Sequence, residues 1–504
     1  MPIDASRETI KRDLGQRTFA GSIWLFTLRV SQQGVTLVQL TVLGRLLNPD
    51  DFGLMGIASL ATQALAVFVY TGYEYALVQR MELREEDIHT AWWVMLGRRL
   101  LIGIALVLLA YPIAQFYRAP DAIPILVAMG AAQCVVGLTS PAASLMQRDL
   151  QYRRLFNYYI WSGLVGLLVG ITAAFLLRNV WALVLGAWSS SVVQVVLSYH
   201  LHPYRPRWCF SMQSFRQLSS YGKWMLGSAI LWFAFSQGAN AFSGWMFGVA
   251  ALGSYQMASR FALLPSTQIG EVIVGTAFPA YSLIQDDVSR VSKAFLRVLS
   301  LSGLFVFGLT ALLALALPGL LVLILGEKWN QAAALVPVIA VAGGVMAMLR
   351  TASPLYLAIG RPHHQFAMDL VQTAVMLCLL YPLGNRFGII GLPFATLVGA
   401  VSAIPIWWFC VRSSTDCTFR EVGAVLLPPF VGVIVIILVF QFGQLPVFPA
   451  NGAVLAIVWQ FTLIFLAMTG FAFMVWLMQR ILPGYEPLTD LRRNLLQGLA
   501  RLSG

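Results

Sequence analysis

Long apolar runs recur along this chain, separated by short polar breaks. A helix needs roughly 20 apolar residues to cross a bilayer, and about fourteen stretches reach that length. They lie near 18–43, 52–79, 90–116, 120–146, 155–177, 179–199, 223–248, 252–283, 292–317, 331–358, 365–386, 388–412, 421–440 and 452–479. The pattern predicts an all-α fold: a polytopic integral membrane protein with about 14 transmembrane helices.

The polar breaks divide the runs into two sets. The longest interior loop is 200–223, between the sixth and seventh spans, and reads as a linker. Short segments before it resemble segments after it, in the same order. "SQQG" (31–34) pairs with "FSQG" (235–238), and "FGLMGIAS" (52–59) with "LGSYQMAS" (252–259). "SPAASLMQRD" (140–149) pairs with "SPLYLAIGRP" (353–362), and "RNVWALVLGA" (178–187) with "RFGIIGLPFA" (386–395). Six spans per repeat give both halves the same orientation, a parallel-repeat arrangement used by transporters. The expected organisation is two pseudo-symmetric six-helix lobes, 1–212 and 213–415, followed by two extra helices and a tail in 416–504. In that tail Leu488, Leu491, Leu495, Leu499 and Leu502 share one helical face and are accompanied by Arg492, Arg493 and Arg501. This predicts an amphipathic helix on the inner leaflet.

Composition agrees and adds topology. The 504 residues are 59% hydrophobic and 11% charged, with a net charge of +12. The basic residues sit in the short loops between apolar runs rather than on one soluble module, so nucleic acid is not the expected partner. Counted along the chain, 23 of the 33 Lys and Arg fall on one side, five on the other and five inside spans. The positive-inside rule then predicts that both termini are cytoplasmic. About 17 polar residues precede the first run, which lacks a cleavage pattern and reads as a retained helix. Five scattered cysteines suggest neither a disulfide framework nor a metal site.

Charged residues inside spans are costly, roughly 2.5–3.5 kcal/mol each on insertion scales. Arg29 lies near the middle of the first span, with Gln33 and Thr36 within about 40° of it on a helix. Gln237 and Asn240 stand at comparable spacing in the seventh span. Two polar stripes point to a hydrated cavity between the lobes; hydrogen bonding between helices is the competing explanation. Arg260 and Glu271 share a face but stand roughly 16 Å apart along the axis, too far for a direct ion pair. They read as two stations on a cavity lining, or as partners of charges on neighbouring helices. Arg98, Arg99 and Arg350 suit either a cavity entrance or snorkelling to headgroups. Glu74 and Asp369, near the inner interface, join Glu271 as candidates for coupling to an ion. No phosphate-cradling G-x-x-x-x-G-K-[ST] loop is present, and nothing reads as an enzyme site, a cofactor site or a metal centre. Guanidinium groups suit phosphates, so an anionic substrate is expected.

Two segments, "LGRLLNPDDFGLMGIASL" (43–60) and "LGSYQMASRFALLPSTQIGEVIVGTAFPAYSLIQ" (252–285), resemble the Wzx-type polysaccharide transporter flippases. These belong to the multidrug/oligosaccharidyl-lipid/polysaccharide exporter superfamily. The resemblance implies a bacterial inner-membrane flippase for an undecaprenyl-diphosphate-linked oligosaccharide, working by alternating access. It implies that Arg29 and Arg260 bind the diphosphate and that spans 13 and 14 form a groove for the lipid tail. It also brings in membrane lipid, a proton or sodium ion, and polysaccharide polymerase or export machinery as partners. The alternative within the superfamily is a cation-coupled multidrug antiporter, for which an acidic cavity and twelve spans would be expected.

Overall fold

The computed structural model describes residues 24, 27–69, 84–149, 151–207, 210–212, 222–263, 277–443 and 453–481. Glu74, Pro265, Glu271, Cys209 and the predicted tail helix lie outside the described residues. Every regular element among the described residues is helical. In order they are α1 (27–46), α2 (Pro49–Phe68), α3 (Glu85–Leu108), α4 (Ala110–Phe116), α5 (Ala122–Gly137), α6 (Ala142–Arg148), α7 (Tyr152–Leu177) and α8 (Trp181–His200). There follow α9 (Gly222–Phe247), α10 (Val249–Ala262), α11 (277–283), α12 (Val288–Leu325), α13 (Asn330–Arg350) and α14 (Ser353–Ala358). The last are α15 (Pro362–Phe387), α16 (Gly391–Ser402), α17 (Ile404–Ser414), α18 (Phe419–Gly443) and α19 (Ala453–Ile481). Among the described residues, seven helical stretches are long and apolar enough to cross a membrane, or eight with α5 and α6 taken as one bent span.

Apolar side chains face outward as well as inward. On α7, Leu168 is 62%, Phe175 60% and Leu176 78% exposed. A water-soluble monomer rarely shows such a row, whereas lipid solvates it. In lipid, apolar burial gives little drive for helices to associate, and close packing through small residues takes over. α7 and α8 meet at Gly166 and Gly186, where a Cβ on either would press on the other's carbonyl oxygen.

The chain divides into two compact units: residues 1–233 with 247–253, and residues 234–246 with 254–504. The start of α10 therefore belongs with the first unit rather than with the residues around it. Gly53 and Gly253 account for this. A Cβ on Gly53 would overlap the Val249 carbonyl, and one on Gly253 would overlap the Pro49 carbonyl. Two helix starts cross backbone to backbone, at positions equivalent in the sequence repeat. The core of the second unit gathers Phe295, Leu299, Leu355, Tyr356, Trp407 and Val411, all buried.

The repeated segments share local geometry. α5 stops at Gly137 and the chain turns by 50° before α6; α13 stops at Arg350, two residues before α14. Each break precedes a Ser-Pro pair, Ser140–Pro141 and Ser353–Pro354. Proline donates no backbone N–H and its ring clashes with the carbonyl four residues back, here Gly137 and Arg350, where the two preceding helices stop. The helices that lead to these spans also end alike. Arg118, after α4, has φ 52°, and Gly326, after α12, has φ 100°.

Candidate functional site

α1 carries the first polar stripe. Arg29, Gln32 and Thr36 are exposed, and Gln33 and Gln39 are half-buried. The Thr36 hydroxyl donates to the Gln32 carbonyl at 2.9 Å, a bond within the helix that leaves the Thr36 oxygen able to accept another. Three exposed polar groups at i, i+3 and i+7 on an otherwise apolar helix keep one face wet.

The second unit carries the counterpart on α9. Gln237 is half-buried and Asn240 is buried. The Asn240 amide donates to Gln237 Oε1 at 3.2 Å, and Ser243 Oγ donates to the Asn240 carbonyl at 2.7 Å. Asn240 Oδ1 is buried with no hydrogen-bond partner among the described residues. The stripe is thus partly bonded within its own helix and retains one acceptor. Arg260 stands exposed in the last turn of α10, where the helix carbonyl ends favour a cation.

Arg350 and Asp369 lie within electrostatic reach of one another in the second unit. Asp369 is buried and Arg350 half-buried, and their charges attract one another. Asp369 Oδ1 also accepts from Gln365 Nε2 at 3.0 Å and Gln372 Nε2 at 2.8 Å. The sequence offered these two charges separately, one as an entrance cation and one as an interfacial acid. Sequence separation hid this proximity: 18 residues, with α14 among them, lie between the two.

In the first unit Arg99 is half-buried and donates to Gln133 Oε1 at 2.6 Å. It lines a cavity of about 450 Å³ that also takes in Ser140, Ser144, Gln147 and Gln194. Sequence reasoning named Arg99 and missed the rest; the Ser-Pro break at 140–141 was the available signal. Arg98, one residue before it, is half-buried on α3. The interhelical loop is fastened to the start of the same helix. His89 Nδ1 lies 2.6 Å from the Tyr204 hydroxyl and accepts from the Arg207 N–H at 3.3 Å, and the Ser211 N–H donates to Thr90 Oγ1 at 3.0 Å. Burial pushes the Tyr204 hydroxyl well above the usual tyrosine range, so it is a lasting donor. No cluster of His, Cys, Asp and Glu among the described residues could hold a metal ion.

A family model described as "Polysaccharide biosynthesis protein" matches residues 42–334, more than half of the chain. The chain belongs to that family. Polysaccharide biosynthesis proteins similar to it include the lipopolysaccharide biosynthesis protein WzxC of Escherichia coli strain K12. That protein is 23% identical over 427 residues, covering 83% of this chain and 85% of the relative. The succinoglycan biosynthesis transport protein ExoT of Rhizobium meliloti strain 1021 is 25% identical over 413 residues, 81% of each. Among solved structures, the lipid II flippase MurJ in an inward closed conformation matches with a TM-score of 0.66. It is 13% identical and covers 90% of this chain and 98% of that one. An inward-facing MATE family multidrug resistance transporter matches with a TM-score of 0.60 and 15% identity, over 76% of this chain and 95% of that one. The Wzx-type resemblance rests on the family and relative matches, and the polytopic all-α membrane fold on the structural match.

Proposed function

We propose that this protein is a flippase that moves an undecaprenyl-diphosphate-linked oligosaccharide across the bacterial inner membrane by alternating access of two lobes, 1–212 and 213–415. Residues 416–504 add the two further spans and the tail. Both termini face the cytoplasm in this reading, and the protein is a transporter rather than an enzyme. One observation carries it. A chain of the polysaccharide biosynthesis family keeps exposed guanidinium groups, Arg29 and Arg260, on two apolar helices. A guanidinium stays charged and presents a planar fork of donors that matches phosphate oxygens. Both arginines bind the diphosphate. Gln33, Thr36, Gln237 and Asn240 contact the head group through hydroxyl and amide groups, and Arg98, Arg99 and Arg350 add positive charge around the route.

Net transport needs a bias between the two conformations. Glu271, Glu74 and Asp369 are the acids proposed to provide it by taking up a proton or sodium ion. Asp369 has a local environment that supports this, with Arg350, Gln365 and Gln372 around one buried carboxylate. Polysaccharide polymerase or export machinery would receive the product.

The test is transport in proteoliposomes loaded with a lipid-linked oligosaccharide. Arg29→Ala and Arg260→Ala are each expected to abolish flipping while the purified variants keep the wild-type helical spectrum and elution volume. Full activity in both would remove the diphosphate assignment.

A further inference from the structure

The cavity beside the break between α5 and α6 is lined by residues of the first unit alone. Of its lining residues only Arg99 has been given a role so far, as positive charge around the substrate route. Its volume of about 450 Å³ falls in the range of small-molecule sites, roughly 300–1,000 Å³. The α5–α6 span is interrupted there, and non-helical backbone at membrane depth is tolerated where it lines a polar cavity.

Three features give the cavity a chemical sign. Arg99 brings a guanidinium to its wall, steered by the 2.6 Å bond to Gln133. Ser140 is 1% exposed, and its Oγ has no hydrogen-bond partner among the described residues. A buried hydroxyl is normally satisfied, and one that is not calls for a specific explanation. Ser144, Gln147 and Gln194 add further neutral donors, and none of the described residues lining the cavity is acidic.

The other repeat shows that the break does not require such a space. At the break between α13 and α14, Thr351, Ala352, Leu355 and Tyr356 are fully buried, and the cation there, Arg350, has the opposite charge of Asp369 within electrostatic reach. One repeat fills its break with side chains and an acid. The other keeps a cavity with a cation and spare donors.

We propose that this cavity is a binding site for a phosphate group, carried either by an anionic lipid headgroup or by a soluble phosphate. One guanidinium suits a single negative charge. Several hydroxyl and amide donors around it suit the three or four oxygens of a phosphate better than the two of a carboxylate. The site shares Arg99 with the flippase reading but does not rest on it, and its test is a binding measurement rather than a transport one.

The full-length protein is reconstituted in nanodiscs of phosphatidylcholine, with or without phosphatidylglycerol. Lipid retention is read by native mass spectrometry. Thermal unfolding is followed with sodium phosphate against sodium chloride at equal ionic strength. Arg99→Gln removes the charge, Arg99→Lys keeps charge without the fork, and Ser144→Phe fills the volume without touching Arg99. Retained phosphatidylglycerol identifies a lipid source, and protection by inorganic phosphate identifies a soluble one. In either case binding should weaken by about tenfold or more in Arg99→Gln and Ser144→Phe, the scale of one lost charge-assisted bond, and less in Arg99→Lys. Wild-type protein that responds to neither probe, or variants that bind as tightly as wild type, would overturn the site.

Discussion

Asp369 is a buried carboxylate whose nearest help is two glutamine amides and one guanidinium. Removing one member of a buried charge pair strands the other, which costs about 3–5 kcal/mol in measured cases. Arg350 is half-buried and acts on Asp369 through its charge, so Arg350→Met should lower stability by about 2 kcal/mol in denaturant unfolding of the detergent-solubilised protein, the scale of two charges several ångström apart at an effective dielectric of about 20. Adding Asp369→Asn should recover more than half of that loss, because the remaining buried group is neutral and still accepts from Gln365 and Gln372. Additive losses would mean that the two residues do not interact. The residue types were legible in the sequence, since charges inside apolar runs stand out. Their pairing was not. It depends on how α13 and α15 pack, and no local pattern encodes that. Arg99 illustrates the same limit: a lone arginine reads as a snorkelling cation until α5, α6, α7 and α8 are placed around it.

Helices were the most legible elements. A run of apolar residues long enough to span is its own signal, and the described helices follow those runs. The interruptions inside runs were less visible. The stretches 120–146 and 331–358 read as single spans, yet each breaks before a Ser-Pro pair. A proline disfavours helix in its predecessor without forbidding it, so the outcome rests on tertiary packing. The crossing of α2 and α10 gives a sharp element-level prediction. Gly253→Ala would drive a Cβ into the Pro49 carbonyl and against the Gly53 backbone nitrogen. Backbone cannot swing aside as a side chain can, so a loss of about 2–3 kcal/mol is expected. Gly34→Ala on α1 meets nothing within 4 Å and should change stability by no more than about 0.5 kcal/mol. Thermal unfolding of the two variants side by side checks the contrast; equal midpoints would contradict the close crossing.

For the whole molecule, one fold serves proteins with different cargoes. MurJ and a MATE transporter both match this chain at 13–15% identity, so architecture alone does not choose between a lipid-linked sugar and a drug cation. The choice rests on the polysaccharide biosynthesis family match and on cations rather than acids on the exposed polar stripe of α1. The most direct measurement follows from this. Wild-type protein in proteoliposomes is given a fluorescent undecaprenyl-diphosphate-linked oligosaccharide in one set and a cationic dye with an imposed proton or sodium gradient in another. Protein-dependent translocation of the lipid-linked sugar, with no dye transport, is the predicted result. Dye transport without sugar translocation would contradict the account.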